Sequence, residues 1–301
     1  MTNQLQRIVV AAIAIPLAVA LIWLSGLPLV ALVAVVAGLG TAELFGLAER
    51  SGMRPLRPLG IVLAVLTPLL TWVVAGPLAD PLNPIEGFVA GVLGPLWLWV
   101  QWPLLALIGP LVILSAVLLT RAPNQRPLEA ASVTLLGPVY CALMPATLLV
   151  MRFAAGPERS WPATWLLLYP LVITWACDSF AMWGGKAMGG PKLWPSVSPG
   201  KTQSGGVAGL AGGVVAAVLY VPLVLTPTGR PIPLVQAALF GLVISVVAQL
   251  GDLVESLFKR AAGVKDASSL IPGHGGVLDR FDSLYFVLPV AALLFRAFGI
   301  L

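Results

Sequence analysis

Asp252-Leu253-Val254-Glu255-Ser256-Leu257-Phe258-Lys259-Arg260, then Lys265-Asp266, then Pro272-Gly273-His274-Gly275-Gly276, then Asp279-Arg280-Phe281-Asp282 is the stretch that decides how this chain is read. Only 10% of the chain is charged, yet these 31 residues hold five acids, four bases and the sole histidine. An apolar run from Leu234 to Leu250 leads in, and another from Leu284 to Phe295 leads out. Carboxylates, cations and glycines at the end of a membrane-length helix suit a metal-and-phosphate site. A merely solvated loop is the plain alternative, and the close alternation of sign beside glycines argues against it.

The same pattern, apolar run then polar loop, recurs along the chain. At 59% hydrophobic residues and a mean hydropathy of +0.98, the composition lies outside the soluble range. Apolar runs of roughly 20 residues fit helices crossing a bilayer, whereas barrel strands are short and alternating. The expected fold is therefore an all-α integral membrane protein, a polytopic bundle of about nine transmembrane helices. The net charge of +5 marks cytoplasmic loops rather than nucleic-acid binding. Cys141 and Cys177 sit in apolar runs without disulfide or zinc spacing, and read as small buried hydrophobes.

In chain order the expected spans are Ile8 to Leu24, Leu27 to Phe45, Gly60 to Ala75, a crossing within Phe88 to Thr120, Ala131 to Met151, Trp161 to Phe180, Gly205 to Leu225, Leu234 to Leu250 and Ser283 to Phe298. Ile8 to Leu24 reads as a span and not a cleaved leader, because a second apolar run follows the Ser25-Gly26 turn at once. Glu43 and Glu49 read as part of a polar loop up to Pro58, and Gly76 to Gly87 as another loop. No repeat or linker divides the chain, so it reads as one domain, with residues 1–160 a lipid-facing scaffold and 161–301 the catalytic helices and loops.

Phe88 to Thr120, interrupted by Gln101-Trp102-Pro103, is long enough for one crossing or two. One crossing, with the N-terminus cytoplasmic, puts 13 Lys and Arg inside and 4 outside (Arg152, Arg159, Arg230 and Arg296); two crossings give 8 and 9. The positive-inside rule favours one crossing. Met182 to Ser204 and Phe258 to Phe281 then face the cytoplasm.

A helix continuing from Leu234 through Arg260 spaces Ser245, Gln249, Asp252, Ser256 and Lys259 by four, three, four and three, on one stripe. An ionised Asp252 at the membrane edge needs a cation, a metal or water, and Ser256 one turn on offers a hydroxyl to the same hard cation. The alternative is an intrahelical ion network, which Glu255 and Lys259 partly form. Asp279 suits a helix cap; Asp282, one turn deeper, is harder to read so. Gly273, Gly275 and Gly276 let a backbone approach an anion, and Lys259, Arg260, Lys265 and Arg280 flank them. His274 is either a catalytic group or a satisfied turn histidine.

Ser256-x-Phe258-Lys259-Arg260-x4-Lys265-Asp266-x-Ser268-x2-Ile271-Pro272-x-His274-Gly275-Gly276-Val277-x-Asp279-Arg280-Phe281-Asp282 resembles the signature of the phosphatidate cytidylyltransferases, or CDP-diacylglycerol synthases, without a gap. The Gln249-x-Gly251-Asp252 approach and the upstream Asp178-Ser179, Gly184-Gly185-Lys186 and Ser198-Pro199-Gly200-Lys201-Thr202 resemble the same family. Two positions depart from it: Ser204, where glutamate is usual, and Met182, where an aromatic is usual.

The resemblance implies transfer of the cytidylyl group of CTP to phosphatidate, giving CDP-diacylglycerol and pyrophosphate. It implies Mg²⁺, with room for a second cation of unknown identity, held by Asp252 and Asp282 with Asp279 and Ser256 next. The catalytic set it implies is Asp252, Lys259, Arg260, Lys265, His274 and Arg280. Asp178, Ser198, Pro199, Lys201, Thr202, Gly273, Gly275 and Gly276 would bind substrate. The expected partners are CTP, phosphatidate and the bilayer of a bacterial-type cytoplasmic membrane, with no nucleic acid and a homodimer as one open oligomeric state. The rival readings are a related CTP-using enzyme (a prenol kinase or an archaeal ether-lipid cytidylyltransferase), an ion-coupled transporter, and a structural scaffold. An ion-coupled transporter accounts for Asp252 but not for the glycines and bases.

Overall fold

The computed structural model describes residues 3–75, 96–271, 273 and 275–301. The expected loop Gly76 to Gly87, the start of the Phe88 to Thr120 run, and the roles given to Pro272 and His274 lie outside the described residues.

Nine long helices make up nearly all of what is described: α1 (Asn3–Leu24), α2 (Gly26–Arg50), α3 (Arg57–Ala75), α4 (Leu96–Thr120), α5 (Pro127–Ala154), α6 (Trp161–Met188), α7 (Gln203–Thr228), α8 (Leu234–Ala261) and α9 (Leu278–Ala297). By length and composition α2, α5, α6, α7 and α8 can cross a membrane, and Ala12–Leu24, Arg57–Val73 and Ile108–Thr120 are shorter apolar stretches. Lipid offers no hydrogen-bond partners, so each segment satisfies its own backbone as a helix. α5 and α7 each contain a π-helical turn, Val139–Leu143 and Val221–Leu225, beside Pro138 and Pro222, whose missing N–H interrupts the regular ladder.

Three details depart from the sequence reading. The fold is not purely helical: Lys192–Trp194 (β1) and Ser198–Thr202 (β2) pair antiparallel in a small hairpin between α6 and α7. The first part of the polar loop expected up to Pro58 is instead the last turns of α2, so Glu43 and Glu49 are helical, and only residues 51–56 form the connection. Likewise α6 runs on past Phe180 to Met188, because a helix need not stop where its apolar face does, while α8 continues to Ala261 as the polar stripe implied. The described part of the ambiguous run is one continuous helix from Leu96 through Gln101-Trp102-Pro103 to Thr120.

Hydrogen bonds between helix ends fix the directions. Arg121 donates to the Arg54 carbonyl at 3.0 Å, so the end of α4 meets the turn before α3. At the opposite end, Arg159 N–H reaches the Trp23 carbonyl at 2.9 Å, joining the α1–α2 turn to the start of α6. That turn is tight: Ser25 and Gly26 both have positive φ, 59° and 50°.

Small residues bring α6 and α7 close. A Cβ at Gly205 or Gly209 of α7 would lie 2.7 Å from the Ala181 carbonyl or 3.0 Å from the Cys177 carbonyl of α6. In a bilayer, where helices gain nothing by hiding apolar surface from lipid, such contact is a main source of association. Stacked rings of Tyr169, Phe240 and Phe295, with both centroid separations 4.9 Å, then tie α6, α8 and α9 together.

Arg152 corrects the charge map. Counted as an outer-face charge, it is fully buried, donating to the carbonyls of Ile22, Gly156 and Pro157 at 2.9, 3.0 and 2.9 Å. It therefore clamps α1 to the α5–α6 connection. Arg152→Ala should lose roughly 3 kcal/mol, since three buried carbonyls lose a charged donor. Thermal melting of detergent-solubilised protein checks this; a melting temperature unchanged from wild type would show the clamp to be energetically idle.

Candidate active site

The polar stripe of α8 turns Ser245 and Gln249 toward α7, Asp252 toward the hairpin and Lys259 toward α9. Gln249 donates to the Gly206 carbonyl at 3.1 Å. One turn on, Asp252 Oδ2 pairs with Lys201 Nζ at 2.6 Å, while the Ser256 hydroxyl lies 3.4 Å from Asp252 Oδ1. Asp178, Met182, Lys186, Lys192, Lys201, Thr202, Gln249 and Asp252 line a cleft of about 590 Å³ between the hairpin and these three helices.

Asp282 joins Asp252 through a glycine. A Cβ at Gly251 would stand 2.8 Å from the Asp282 carbonyl and 3.0 Å from Ser283 Cα, so α9 crosses α8 there in backbone contact. That crossing brings together carboxylates 30 residues apart in sequence. Asp178, Asp252 and Asp282 are near enough that the charges of Asp252 and Asp282 act on Asp178 and that of Asp252 acts on Asp282. The Asp282 carboxyl, which precedes the apolar run beginning at Ser283, is pushed up to about 6 by burial and then by Asp252. The Ser283 N–H, bound at 2.6 Å, and the charges of Lys259 and Arg280 pull against that rise.

Asp279 is placed differently. Its Oδ1 accepts from Lys259 Nζ at 2.7 Å, and its Oδ2 accepts from the N–H groups of Ala267 and Gly276 at 2.9 and 2.8 Å. Burial raises this carboxyl, but those three donors together hold it below the usual carboxylate range. Lys259 is itself buried and also pairs with the fully buried Glu255. The glycine loop closes through the Ile271 N–H to the Gly275 carbonyl at 2.8 Å, with Gly273 and Gly275 at φ 73° and 80°. There the Gly276 N–H meets an anion belonging to the chain, the Asp279 carboxylate.

The remaining expected residues divide between scaffold and surface. Arg260 donates to the carbonyls of Val197 and Val264 at 3.3 and 3.0 Å, fastening the hairpin to the end of α8. Thr202 caps α7, accepting from Gly205 N–H at 3.1 Å. Ser204, a departure from the family pattern, bonds to the Thr202 hydroxyl at 3.1 Å and to the Gly189 carbonyl, holding the cleft rim. Met182, the other departure, lines the cleft. Lys265 and Arg280 are exposed, and Ser198 and Pro199 begin β2.

Sequence reasoning missed Glu43. From α2 its carboxylate accepts from the Ser268 hydroxyl at 2.6 Å and the N–H groups of Val277 and Leu278 at 3.1 and 2.7 Å. Sequence reasoning quoted Lys186 in the upstream resemblance without giving it a role and passed over Lys192; the glycines around both were the available signal.

The donors around Asp252 are oxygens only: Asp252, Asp282 and the Ser256 hydroxyl. Among the described residues no three His, Cys, Asp or Glu side chains form a ready metal cage. Two carboxylates and a hydroxyl nevertheless fit a hard cation such as Mg²⁺, which takes one or two carboxylates and fills its shell with water and phosphate oxygens.

Comparison with known proteins agrees in extent and kind. The family described as "Cytidylyltransferase family" matches residues 5–298. A phosphatidate cytidylyltransferase of Synechocystis sp. is 31% identical over 306 residues, covering 95% of this chain and 94% of that one. Those of Bacillus subtilis and Brucella abortus biovar 1 are 45% identical over 133 residues and 38% over 173. Those two matches cover 44% and 50% of this chain, and 48% and 60% of the relatives' own lengths. A match spanning nearly the whole chain, together with a full-length relative, places this protein in the cytidylyltransferase family.

Proposed function

We propose that the protein transfers the cytidylyl group of CTP to phosphatidate, giving CDP-diacylglycerol and pyrophosphate. The observation carrying this reading is the Gly251 crossing, which brings the Asp282 backbone against the residue before Asp252, while Asp252 itself lines a cleft with Lys186, Lys192 and Lys201. The names of the relatives point the same way. In the reaction a phosphatidate phosphate oxygen forms a bond to the α-phosphorus of CTP, and the bond from that phosphorus to the bridging oxygen breaks with loss of pyrophosphate.

Asp252 and Asp282, with the Ser256 hydroxyl, would hold Mg²⁺. When bound, the cation neutralises the triphosphate and polarises the α-phosphoryl group. Lys186, Lys192 and Lys201 draw the two polyanions together and stabilise the departing pyrophosphate. Lys201 exchanges its Asp252 partner for a substrate phosphate. Asp279, satisfied by three internal donors, holds the glycine loop and not the metal. Arg260 and Thr202 fix the hairpin that carries Lys201.

The nine helices cross the bilayer nine times, in this reading, with the N-terminus and the site at the cytoplasmic face of a bacterial inner membrane. The alternation of helix ends and the 13-to-4 distribution of Lys and Arg, buried Arg152 being one of the four, support it. Single cysteines at Ser196 and Ser269, in a background with Cys141 and Cys177 changed to Ala, test the orientation. An impermeant thiol reagent should miss both in intact cells and reach both in inverted vesicles. Labelling from outside would reverse the topology.

The test of substrate class is to give purified protein labelled CTP with phosphatidate, an ether-linked lipid phosphate and a free prenol in separate reactions. Rapid labelling of phosphatidate alone supports the proposal. Preference for either other lipid would move the protein to a neighbouring activity.

A further inference from the structure

Glu43 lies in the N-terminal half, about two turns before the end of α2, and nothing in the polar signature points to it. Its contacts converge on one place. The N-cap of α9 is Val277, which has no side chain able to cap it. The first N–H groups of a helix need acceptors, and a negative charge there also meets the positive end of the helix dipole. Glu43 supplies both from another helix, taking Val277 N–H and Leu278 N–H on its two oxygens and the Ser268 hydroxyl besides.

The loop from Ala267 to Leu278 is thus held on two flanks by two carboxylates. Asp279 grips Ala267 and Gly276 from within α9, and Glu43 grips Ser268, Val277 and Leu278 from α2. Space is equally specific. A Cβ at Gly276 would come within 2.6 Å of Glu43 Oε1 and 2.7 Å of its Cδ, so the glycine there is what lets the carboxylate reach the helix end. The first turn of α9 carries Arg280 and leads to Asp282. An acceptor that fixes this end therefore also sets where Asp282 stands relative to Asp252 across the Gly251 contact.

We propose that Glu43 is a positioning residue for the reaction: it caps α9 in trans and holds the glycine loop and Asp282 in register with Asp252. The inference rests on the cytidylyl-transfer reading above for its kinetic consequence, but its structural part stands on the contacts alone. It also gives α2, expected to be lipid-facing scaffold, a direct connection to the site.

The experiment uses full-length Glu43→Gln and Ser268→Ala, with Glu49→Gln as control, since Glu49 on the same helix pairs only with exposed Arg57. Two quantities are read: steady-state kinetics, and amide hydrogen exchange of peptides covering 265–282. Supporting residues around a metal site alter activity by about 10–100-fold, so Glu43→Gln should lower kcat by that factor with each KM changed less than about threefold. Exchange should quicken in 265–282 and not in α6 or α7. Ser268→Ala, which removes one of the three contacts, should move both readouts the same way by a smaller factor, and Glu49→Gln should move neither.

If Glu43→Gln keeps kcat within twofold per folded molecule, or exchange in 265–282 is unchanged, the proposal is overturned. If Glu43→Gln does not fold, Ser268→Ala decides: unaltered exchange and kcat overturn the proposal, and a fall in kcat with faster exchange sustains it. Should wild type transfer no cytidylyl group at all, the functional reading fails, while the exchange comparison still tests the cap.

Discussion

Asp252→Asn and Asp282→Asn each yield a folded protein whose cytidylyl transfer is down by at least about a thousandfold, about 4 kcal/mol of transition-state stabilisation. Asparagine keeps the size and one carbonyl oxygen and removes the charge that a hard divalent cation requires. Asp252 has a second partner, Lys201 at 2.6 Å, but both side chains are partly solvent-exposed, and such an ion pair contributes only about 0–1 kcal/mol. Loss of the pair therefore cannot account for a thousandfold effect. Asp279→Asn should behave differently, weakening the glycine loop and lowering the melting temperature, because its three donors are internal. Activity and melting temperature measured on the same preparations separate the cases. Near-normal turnover of Asp282→Asn at ordinary Mg²⁺ would remove Asp282 from the metal site.

The second large effect is expected where no side chain exists. Gly251→Ala puts a methyl group 2.8 Å from the Asp282 carbonyl and 3.0 Å from Ser283 Cα, both backbone atoms that cannot turn aside. The α8–α9 crossing must open, and the two carboxylates part. Misplacement by about 1 Å at a reacting centre costs on the order of a hundredfold in rate, whereas overpacking one methyl group costs about 1–3 kcal/mol of stability. Gly251→Ala should thus be folded and slow. Gly46→Ala on α2, where a Cβ has nothing within 4 Å, should leave the rate unchanged. If Gly251→Ala retains more than half the wild-type rate, the crossing does not set the carboxylate spacing.

Why the sequence revealed some of this and concealed the rest has physical reasons. Lipid imposes length and apolarity on every crossing helix, so α2, α5, α6, α7 and α8 announced themselves. The stripe Gln249, Asp252, Ser256, Lys259 was legible because a helix repeats on a fixed period. The end of α2 was not, since Glu43 and Glu49 look like loop residues when only hydropathy is read. The hairpin of Lys192–Trp194 with Ser198–Thr202 was hidden because Pro199 and Gly200 within β2 argue against a strand.

The acids of the signature were visible together but not their separate duties. Asp279 and Asp282 stand three apart and look alike in sequence; only the fold shows that one faces Lys259 and two backbone N–H groups while the other backs onto Gly251. Glu43 was least legible of all, because its partner Leu278 is 235 residues away and no local pattern encodes such a contact. Arg152 misled for a related reason: a lone arginine at a helix end resembles a solvated charge until three carbonyls close around it.

The position of the bond that breaks in the nucleotide tests the central claim most directly. Purified protein is given phosphatidate, Mg²⁺ and CTP labelled either at the α-phosphate or at the γ-phosphate, and the label is followed into lipid and into the aqueous phase. The account predicts α-label in the lipid and γ-label only in released pyrophosphate. Transfer of γ-label to lipid would reveal a kinase, and absence of α-label from lipid would contradict cytidylyl transfer to phosphatidate.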